Sequence, residues 1–404
     1  MKDLFKFLEG ETRLYYAPIN LTYFWCFGYL LLIYFVLQVV SGIILAMWYT
    51  PHVNMAFDSI SFIMGEVEQG WLLRYFHVNA VSFIFGCMYI HIFRGLFFGS
   101  YGFPRISLWL SGLAIFMMMI VTAFLGYVLP WGQMSYWGAT VITSFLSVIP
   151  FFGKDIQIFV WGAYFIDQPA LGKFFSLHYL FPFLIIGLIV IHLFYLHKVS
   201  SNNPLNMETN NRIPLYPYYI WKDGTIFLFS LFFFFLFVFF MPDFLNHPDN
   251  SIMANPSVTP EHIVPEWYFL LFYAVLRSVP NKEMGVILMV MSILFLIFFI
   301  FILKVLAGNL PVTITTLFRG GFAFILWFFV SICVLLLILG GLPVATPFLE
   351  SAQLFTLFYF LQLSFLIPVS VWFSNLPLLK EIIGNKIIAI EDRILEYIEE
   401  RSKL

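Results

Sequence analysis

Charged residues are scarce in this chain of 404 residues: Asp, Glu, Lys and Arg make up only 10% of it, while apolar residues make up 61%. Soluble domains usually contain about 25% charged residues. The chain also lacks a basic tract and a glycine-rich phosphate loop, so nucleic acid is not an expected partner. These absences predict a polytopic protein of the lipid bilayer rather than a soluble domain.

Cysteine is equally rare, and the three cysteines, Cys26, Cys87 and Cys333, all fall in apolar runs. None of them forms a CxxC or CxxCH motif, so a disulfide framework, an iron–sulfur site and covalently attached haem are not expected. The N-terminal residues MKDLFKFLEGETRLYY have no apolar core followed by a small-residue cleavage site. We therefore expect no removed signal, and expect the first span to serve for insertion.

Long apolar runs fill most of the chain, with breaks at proline, glycine and clusters of charge. A run of about 20 apolar residues crosses a bilayer as a helix. The pattern predicts an all-α fold with eight transmembrane helices, near residues 22–48, 72–98, 106–127, 173–197, 222–241, 285–304, 320–340 and 348–374. Eight spans put both termini on one side, which then holds fifteen of the twenty lysines and arginines. That bias agrees with the positive-inside rule.

Two of the predicted spans carry histidines at the same spacing. His77 and His91 lie fourteen residues apart in the second span, as do His178 and His192 in the fourth. On a helix this is almost four turns, so the two rings leave one face about 21 Å apart. Any one of these histidines, taken alone, could equally be a hydrogen-bonded core residue without a function. Equal spacing on two helices is not explained that way, and ionisable groups within a bilayer usually have a function.

The topology decides which histidines can meet. The second and fourth spans run in the same direction, which places His77 at the depth of His178 and His91 at the depth of His192. Haem iron accepts two axial imidazoles, whereas zinc usually takes four ligands. The sequence therefore predicts two haem sites, stacked across the membrane.

Four glycines repeat the histidine spacing in the neighbouring spans. Isolated glycines would most simply serve close helix packing. Fourteen-residue spacing in two spans instead favours two flat cofactors lying against backbone without side chains. The four positions are Gly28 and Gly42 in the first span, and Gly112 and Gly126 in the third. Arg74 and Arg94 lie three residues from a histidine, where they could pair with haem propionates or extend to the headgroups.

Two stretches outside the predicted spans have unusual composition and fall on the same side. Residues 129–150, LPWGQMSYWGATVITSFLSVIP, are too broken to span and are expected to form helices at the interface. In the connection 242–282, Glu266 stands between Pro265 and Trp267 beside apolar sequence. Such a carboxylate could accept a proton from a buried hydroxyl, or it could pair with Arg277.

On the opposite side, His197 follows His192 by about one turn, and Lys222 and Asp223 begin the fifth span. A histidine, a lysine and an acid near the inner haem could protonate a reduced quinone, although charges are common at interfaces. From Lys380 to the end, apolar residues recur at helical spacing between charges. This segment is expected to be a surface helix, or to dock a partner subunit.

With the histidine pairs, the glycines, WGQMSYWGATVIT and PEWY in place, the sequence resembles the cytochrome b family, the central membrane subunits of ubiquinol:cytochrome c oxidoreductase (respiratory complex III). The resemblance covers about residues 20–377. The fourteen-residue spacing in both ligand helices favours the respiratory type over the chloroplast relative. The short link at 278–285 and the 53 phenylalanines suggest a mitochondrial gene. The resemblance then implies the mitochondrial inner membrane with both termini in the matrix; a bacterial plasma membrane is the alternative.

The resemblance implies a reaction and two non-covalent b haems. Ubiquinol would be oxidised at an outer site, with one electron leaving to a Rieske iron–sulfur protein and the other passing through the haems to quinone at an inner site. The low-potential haem would lie between His77 and His178, and the high-potential haem between His91 and His192. Cytochrome c1, accessory subunits, the lipid bilayer and a second copy of the complex are the other implied partners.

Further site residues follow from the resemblance, by position in this chain. Propionates would be held by Arg74, Arg94, Ser100 and Asn202. The outer pocket would contain Gly138, Pro265, Glu266 and Tyr273, and the inner one His197, Ser201, Lys222 and Asp223. Cys26 departs from the family pattern, because related animal sequences carry asparagine there, so one polar contact of the inner pocket should differ.

The expected organisation has three parts: a di-haem four-helix bundle with interfacial helices at 1–215, helices five to eight with the PEWY loop at 216–379, and an amphipathic extension at 380–404. Two other classes of protein also use intramembrane histidines. A two-haem membrane anchor would relay electrons without dividing them between two acceptors, and a haem-free transporter would use the histidines as a proton relay. The anchor does not account for eight spans together with a PEWY loop. A reduced-minus-oxidised optical spectrum would distinguish the transporter, which would show no haem.

Overall fold

The structure is a computed structural model that describes residues 15–205, 209–307 and 320–375. The predicted surface helix at 380–404 lies outside these residues. The described part is mostly helical, as expected where backbone groups must be paired without water. Its α-helices are α1 (Phe27–Ala46), α2 (Ala56–Gly65), α3 (Gly70–Phe97), α4 (Ile106–Val128), α5 (Gln133–Ser144), α6 (Gly153–Trp161), α7 (Gln168–Val199), α8 (Ile220–Phe240), α9 (Leu270–Arg277), α10 (Lys282–Ala307), α11 (Gly320–Gly340), α12 (Phe348–Leu361) and α13 (Ile367–Asn375).

Eight helical segments are long and apolar enough to cross a membrane: Tyr23–Ala46, Gly70–Phe97, Ile106–Val128, Gln168–Val199, Leu215–Phe240, Lys282–Val305, Gly321–Gly340 and Phe348–Trp372. The prediction of an all-α membrane protein with eight spans is confirmed. The fourth segment begins earlier than its apolar run, at Gln168, and the fifth begins at Leu215 with a short turn that contains the non-helical residue Tyr216. Hydropathy detects only the apolar part of the fourth helix, whereas α7 itself begins at Gln168. The regular helix of the fifth span, α8, begins at Ile220, close to its predicted start.

The first four spans pack as two close pairs, α1 with α3 and α4 with α7. Each pair joins a helix with two of the predicted glycines to a helix with two of the histidines. The helix α7 continues through Pro182, since membrane helices tolerate an internal proline better than helices in water do. A residue with positive φ follows each histidine helix, Gly99 after α3 and Ser200 after α7.

Beyond α4, the predicted broken stretch forms α5 and a short 3₁₀ turn at Phe145–Val148. The helix α6 and the short helix α2 were not predicted, because ten or fewer residues give little periodic signal. The segment after α8 contacts α5: Asn250 Oδ1 accepts hydrogen bonds from Ser135 N at 2.8 Å and from Ser135 Oγ at 2.9 Å. The two stretches predicted to share one side of the membrane are therefore in contact.

At the other end of the bundle, two three-residue strands pair antiparallel. They are β1 (Tyr16–Pro18) and β2 (Arg212–Pro214), with Ala17 opposite Ile213. The pairing ties the N-terminal segment to the start of the fifth span.

Candidate functional site

The structure brings the four predicted histidines together as two pairs. The ring centroids of His77 and His178 are 6.4 Å apart, and those of His91 and His192 are 6.5 Å apart. Two imidazoles that bind opposite faces of one metal ion, through nitrogens about 2 Å from it, would have centroids about 6 Å apart. Both pairs therefore have the separation that two axial ligands require.

Hydrogen bonds fix the orientation of three of these rings. The hydroxyl of Ser41 donates to the Leu37 carbonyl at 2.7 Å, and with its single proton placed there it accepts at its 2.9 Å contact with Nδ1 of His77. A hydroxyl has only one proton to give. In this arrangement His77 carries its proton on Nδ1, which leaves the lone pair of Nε2 available to a metal.

The two histidines of α7 each place Nδ1 next to an oxygen atom of α4. Ser111 Oγ donates to the Leu108 carbonyl at 2.9 Å and lies 2.9 Å from Nδ1 of His192. The Thr122 carbonyl, which can only accept, lies 2.8 Å from Nδ1 of His178. With the Ser111 proton on the Leu108 carbonyl, both rings carry their own proton on Nδ1 and leave the lone pair of Nε2 available, as in most metal-binding histidines.

His91 differs from the other three. Its Nδ1 lies 3.2 Å from Nη2 of Arg94, and a guanidinium can only donate. The chain itself does not fix a proton on Nδ1 of this ring.

The four predicted glycines face the four rings. A Cβ atom added at Gly28 would lie 3.1 Å from Cε1 of His91, and one added at Gly112 would lie 3.1 Å from Cε1 of His192. Gly42 has the same relation to His77, and a Cβ at Gly126 would collide with His178. Each ring level thus has backbone without side chains on two sides, as a flat cofactor requires. A cavity of about 240 Å³ lies at the level of His77 and His178.

Two of the predicted propionate residues have buried hydrogen-bond donors that could bind a carboxylate beside the inner histidine pair. Within the described part of the chain, the buried atoms Arg94 Nε and Ser100 Oγ have no hydrogen-bond partner. Buried donors are nearly always paired in folded proteins, so a missing acceptor is implied. The Asn202 amide donates to the Phe98 carbonyl at 2.9 Å, which uses one of its two N–H donors. Near the outer pair, Arg74 lines the large cavity and lies 3.6 Å from Sδ of Met64.

Glu266 is only 9% exposed and lines two cavities. One is the large cavity of the outer histidines. The other, of about 30 Å³, is also lined by Gly138, Pro265 and Tyr273. Burial raises the pKa of the Glu266 carboxyl to about 7, although the neighbouring Tyr127 hydroxyl lowers it in part. A carboxyl with that pKa can take up and release a proton near neutral pH.

The alternative interpretation of Glu266 as the ion-pair partner of Arg277 is wrong. Nη2 of Arg277 donates to three backbone carbonyls, those of Leu339, Gly340 and Leu342, at 2.7–3.1 Å. These carbonyls lie at and just beyond the end of α11, where backbone oxygens lack partners within the helix. Tyr273 also remains close to the small cavity, and its hydroxyl donates to the Ile263 carbonyl at 2.8 Å.

The predicted inner residues form two groups at the opposite end. In one, His197 stacks on Tyr15 with ring centroids 4.8 Å apart, and the Tyr15 hydroxyl lies 3.1 Å from Ser201 Oγ. In the other, the Cys26 thiol lies beside the Asp223 carboxylate, next to Lys222. Both groups adjoin the N-terminal segment around β1.

Several residues of these sites were missed by the sequence reasoning. Ser41 and Ser111 directly precede Gly42 and Gly112, so a repeated Ser-Gly pair was a usable signal for them. No such signal marked the Thr122 carbonyl, which is a backbone group. Tyr15 and Tyr127 are single aromatic residues in a chain with 21% aromatic content, and their sequence positions say nothing of their neighbours.

Comparisons with known proteins agree with this geometry. The family model described as "Cytochrome b/b6/petB" matches residues 12–200, and the one described as "Cytochrome b(C-terminal)/b6/petD" matches residues 253–360. The chain is similar to cytochrome b of Phytophthora megasperma, at 51% identity over 86% of this chain and 90% of that protein. It is also similar to cytochrome b of the bacterium Rickettsia prowazekii, at 46% identity over 93% and 94%.

Among solved structures, the chain is similar to one from a hyperthermophilic respiratory Complex III. The TM-score is 0.83 and the identity is 32%, over 90% of this chain and 94% of that one. Likeness at this level covers both the histidine-bearing half and the half with the PEWY loop.

Proposed function

The chain belongs to the cytochrome b family, and on that premise we propose that it is the membrane subunit of a quinol:cytochrome c oxidoreductase that performs a Q cycle. As a multi-pass electron-transport protein it would oxidise ubiquinol at an outer site, pass one electron through two b haems and reduce quinone at an inner site. The main observation in support is that His77 lies opposite His178 and His91 opposite His192, at the separation of two axial ligands. In three of the four rings, a hydrogen bond at Nδ1 leaves Nε2 available.

His77 and His178 would hold the low-potential haem, and His91 and His192 the high-potential haem. A bound haem supplies an iron centre that takes up and gives away single electrons. Around the inner pair, Arg94 Nε and Ser100 Oγ, which have no hydrogen-bond partner among the described residues, support propionate binding there. Arg74 would serve the outer haem, and Asn202, whose amide also donates to the Phe98 carbonyl, would hold a propionate with Arg94 and Ser100.

At the outer site, Glu266 would accept a proton from quinol. Its two cavities support this role, since a substrate beside Gly138, Pro265 and Tyr273 would meet one side of the carboxyl while the large cavity opens on the other. Releasing the proton into a different space from the one where it was received makes transfer directional. Tyr273 would shape the pocket, because its hydroxyl is held by the Ile263 carbonyl.

At the inner site, His197 and Ser201 would bind one quinone carbonyl, and Lys222 with Asp223 the other. A quinone needs a proton on each oxygen as it is reduced, so two groups of donors match its two ends. The Cys26 thiol beside Asp223 would replace the amide found in related animal sequences.

The assembly and compartment follow from the family in the same way. The structural similarity to a chain of a respiratory Complex III supports other complex III subunits as partners, and we propose a Rieske protein, cytochrome c1, accessory subunits and a second copy. We propose the mitochondrial inner membrane with both termini in the matrix. A bacterial plasma membrane is the alternative, since both kinds of organism supply relatives. We also propose that the chain is organised as a di-haem bundle up to residue 215, helices five to eight from 216 to 379, and a C-terminal extension.

Inhibitors test the proposal on the intact complex. A stigmatellin-like inhibitor should block quinol oxidation at the outer site, while an antimycin-like inhibitor should block only the inner site, and each should leave the other site's partial reaction measurable. A membrane anchor that merely relays electrons would show one quinone site. A transporter would show no haem absorbance at all.

A further inference from the structure

Tyr15 makes two contacts with residues at the end of α7. Its ring stacks on the imidazole of His197, with centroids 4.8 Å apart and an interplanar angle of 29°. Its hydroxyl lies 3.1 Å from Ser201 Oγ and accepts a hydrogen bond of 3.1 Å from the Ser201 backbone N–H. One side chain therefore contacts both members of the first inner group.

The backbone of Tyr15 is hydrogen-bonded to the start of the fifth span. Its carbonyl accepts a hydrogen bond of 2.9 Å from the Leu215 N–H, where the fifth span begins. The next three residues form β1, which pairs with β2 just before that span. Tyr15 thus joins the end of the fourth span to the start of the fifth.

The same N-terminal segment holds the second inner group. The Tyr219 hydroxyl donates to the Pro18 carbonyl, and Nζ of Lys222 donates to the Leu21 carbonyl. Pro18 is buried there with Ala17 and Leu21. A displacement of this segment would change the distance between His197 and Lys222, because both are attached to it.

We propose that Tyr15 is a positioning residue of the inner quinone site, an inference that rests on the proposed function of that site. Its ring covers one face of the His197 imidazole, which leaves the nitrogens at the ring edge for a quinone oxygen. Stacked aromatic rings hold each other's orientation at a small entropic cost.

The hydroxyl of Tyr15 also directs the Ser201 side chain. It already accepts the Ser201 N–H, so its own proton is available for Ser201 Oγ. In that arrangement the Ser201 proton points away from Tyr15 and can be donated to a quinone carbonyl. Without the phenol, the serine hydroxyl would rotate freely and would lose this preference.

Two substitutions separate the two contacts. Tyr15→Phe keeps the ring and removes the hydroxyl, whereas Tyr15→Leu removes both. Tyr16→Leu is the matched control, because Tyr16 is the adjacent residue and is 52% exposed. His197→Ala reports whether the inner site exists as proposed.

The assay uses the whole complex in its membrane. With the outer site blocked by a stigmatellin-like inhibitor, quinol reduces the b haems only through the inner site, and the rate is followed optically. We expect a rate about two- to tenfold lower in Tyr15→Phe, the effect of one lost hydrogen bond, and a lower rate still in Tyr15→Leu. Outer-site haem reduction, measured with an antimycin-like inhibitor, should be unchanged in both, as should the haem spectrum.

The outcomes separate the two proposals. Slow inner-site reduction in His197→Ala together with wild-type rates in both Tyr15 variants would overturn the role of Tyr15 alone. Wild-type rates in His197→Ala as well would overturn the inner site itself. Equal losses at both sites in Tyr15→Leu, or the same loss in Tyr16→Leu, would indicate a general structural fault and would also contradict positioning by Tyr15.

Discussion

Ser111 places its Oγ atom 2.9 Å from Nδ1 of His192, and the next residue, Gly112, leaves space beside the same ring. Ser41 and Gly42 have the same relation to His77. Two consecutive residues on one helix thus orient a histidine on the opposite helix and make room next to it. The arrangement occurs once in each half of the four-helix bundle and at each of the two depths.

Removing the serine hydroxyl should change the redox potential of one haem. In Ser111→Ala the Nδ1–H of His192 loses its acceptor, so the imidazole becomes a weaker electron donor to iron. A lost hydrogen bond corresponds to a rise of about 20–60 mV for a one-electron couple. Redox titration followed optically measures this shift.

We expect the high-potential haem to shift in Ser111→Ala and the low-potential haem in Ser41→Ala. Ser331→Ala is a suitable control, since its hydroxyl also donates to a carbonyl of its own helix, at 3.0 Å, but is exposed. Unshifted potentials in both site variants would show that these serines do not act on the ligands.

Filling the space at Gly112 should expel one haem. A Cβ there already lies 3.1 Å from His192, so the branched side chain in Gly112→Val would occupy the level of the inner haem. We expect about half the haem content per chain, with the low-potential haem retained. Gly187→Val on α7 is the control, because a Cβ at Gly187 meets nothing within 4 Å. Full haem content in Gly112→Val would contradict the prediction that Gly112 leaves space for a haem.

The role of Glu266 predicts a pH dependence. Only the ionised carboxylate can accept a proton, and its pKa is raised to about 7. The rate of quinol oxidation should therefore rise as pH increases through about 7 and level off above it. Glu266→Gln should remove this limb and lower the rate about a hundredfold or more, as for other general bases. Both haems should remain.

Glu261→Gln provides the comparison, because Glu261 is exposed on the same connection. It should retain the pH profile of the unaltered chain. Turnover in Glu266→Gln that matches the control at every pH would rule out proton acceptance by this carboxyl.

The sequence predicted those features that depend on spacing along one helix. Eight apolar runs and a fourteen-residue repeat define which histidines share a depth, and the structure pairs them in that way. The repeat works because helical rise converts sequence distance into depth. The glycines opposite the rings obey the same rule.

Contacts between distant segments could not be predicted in this way. Tyr15 and Ser201 are 186 residues apart, and only the folded chain brings them together. Arg277 was given the wrong partner for a related reason: it is charged and close to Glu266 in sequence, but its Nη2 donates to backbone carbonyls at the end of another helix. Sequence shows which side chains have a charge, but it does not show which carbonyls lack a donor.

Two haems held by two histidine pairs are the central claim, and it can be tested directly. The measurement is a reduced-minus-oxidised optical spectrum with haem extraction, made on the purified complex and on its His91→Leu variant. We predict two extractable b haems per chain, and in the variant the loss of the high-potential haem alone. A chain without haem absorbance, or a variant that keeps both haems, would contradict the account, and loss of the low-potential haem instead would invert the assigned depths.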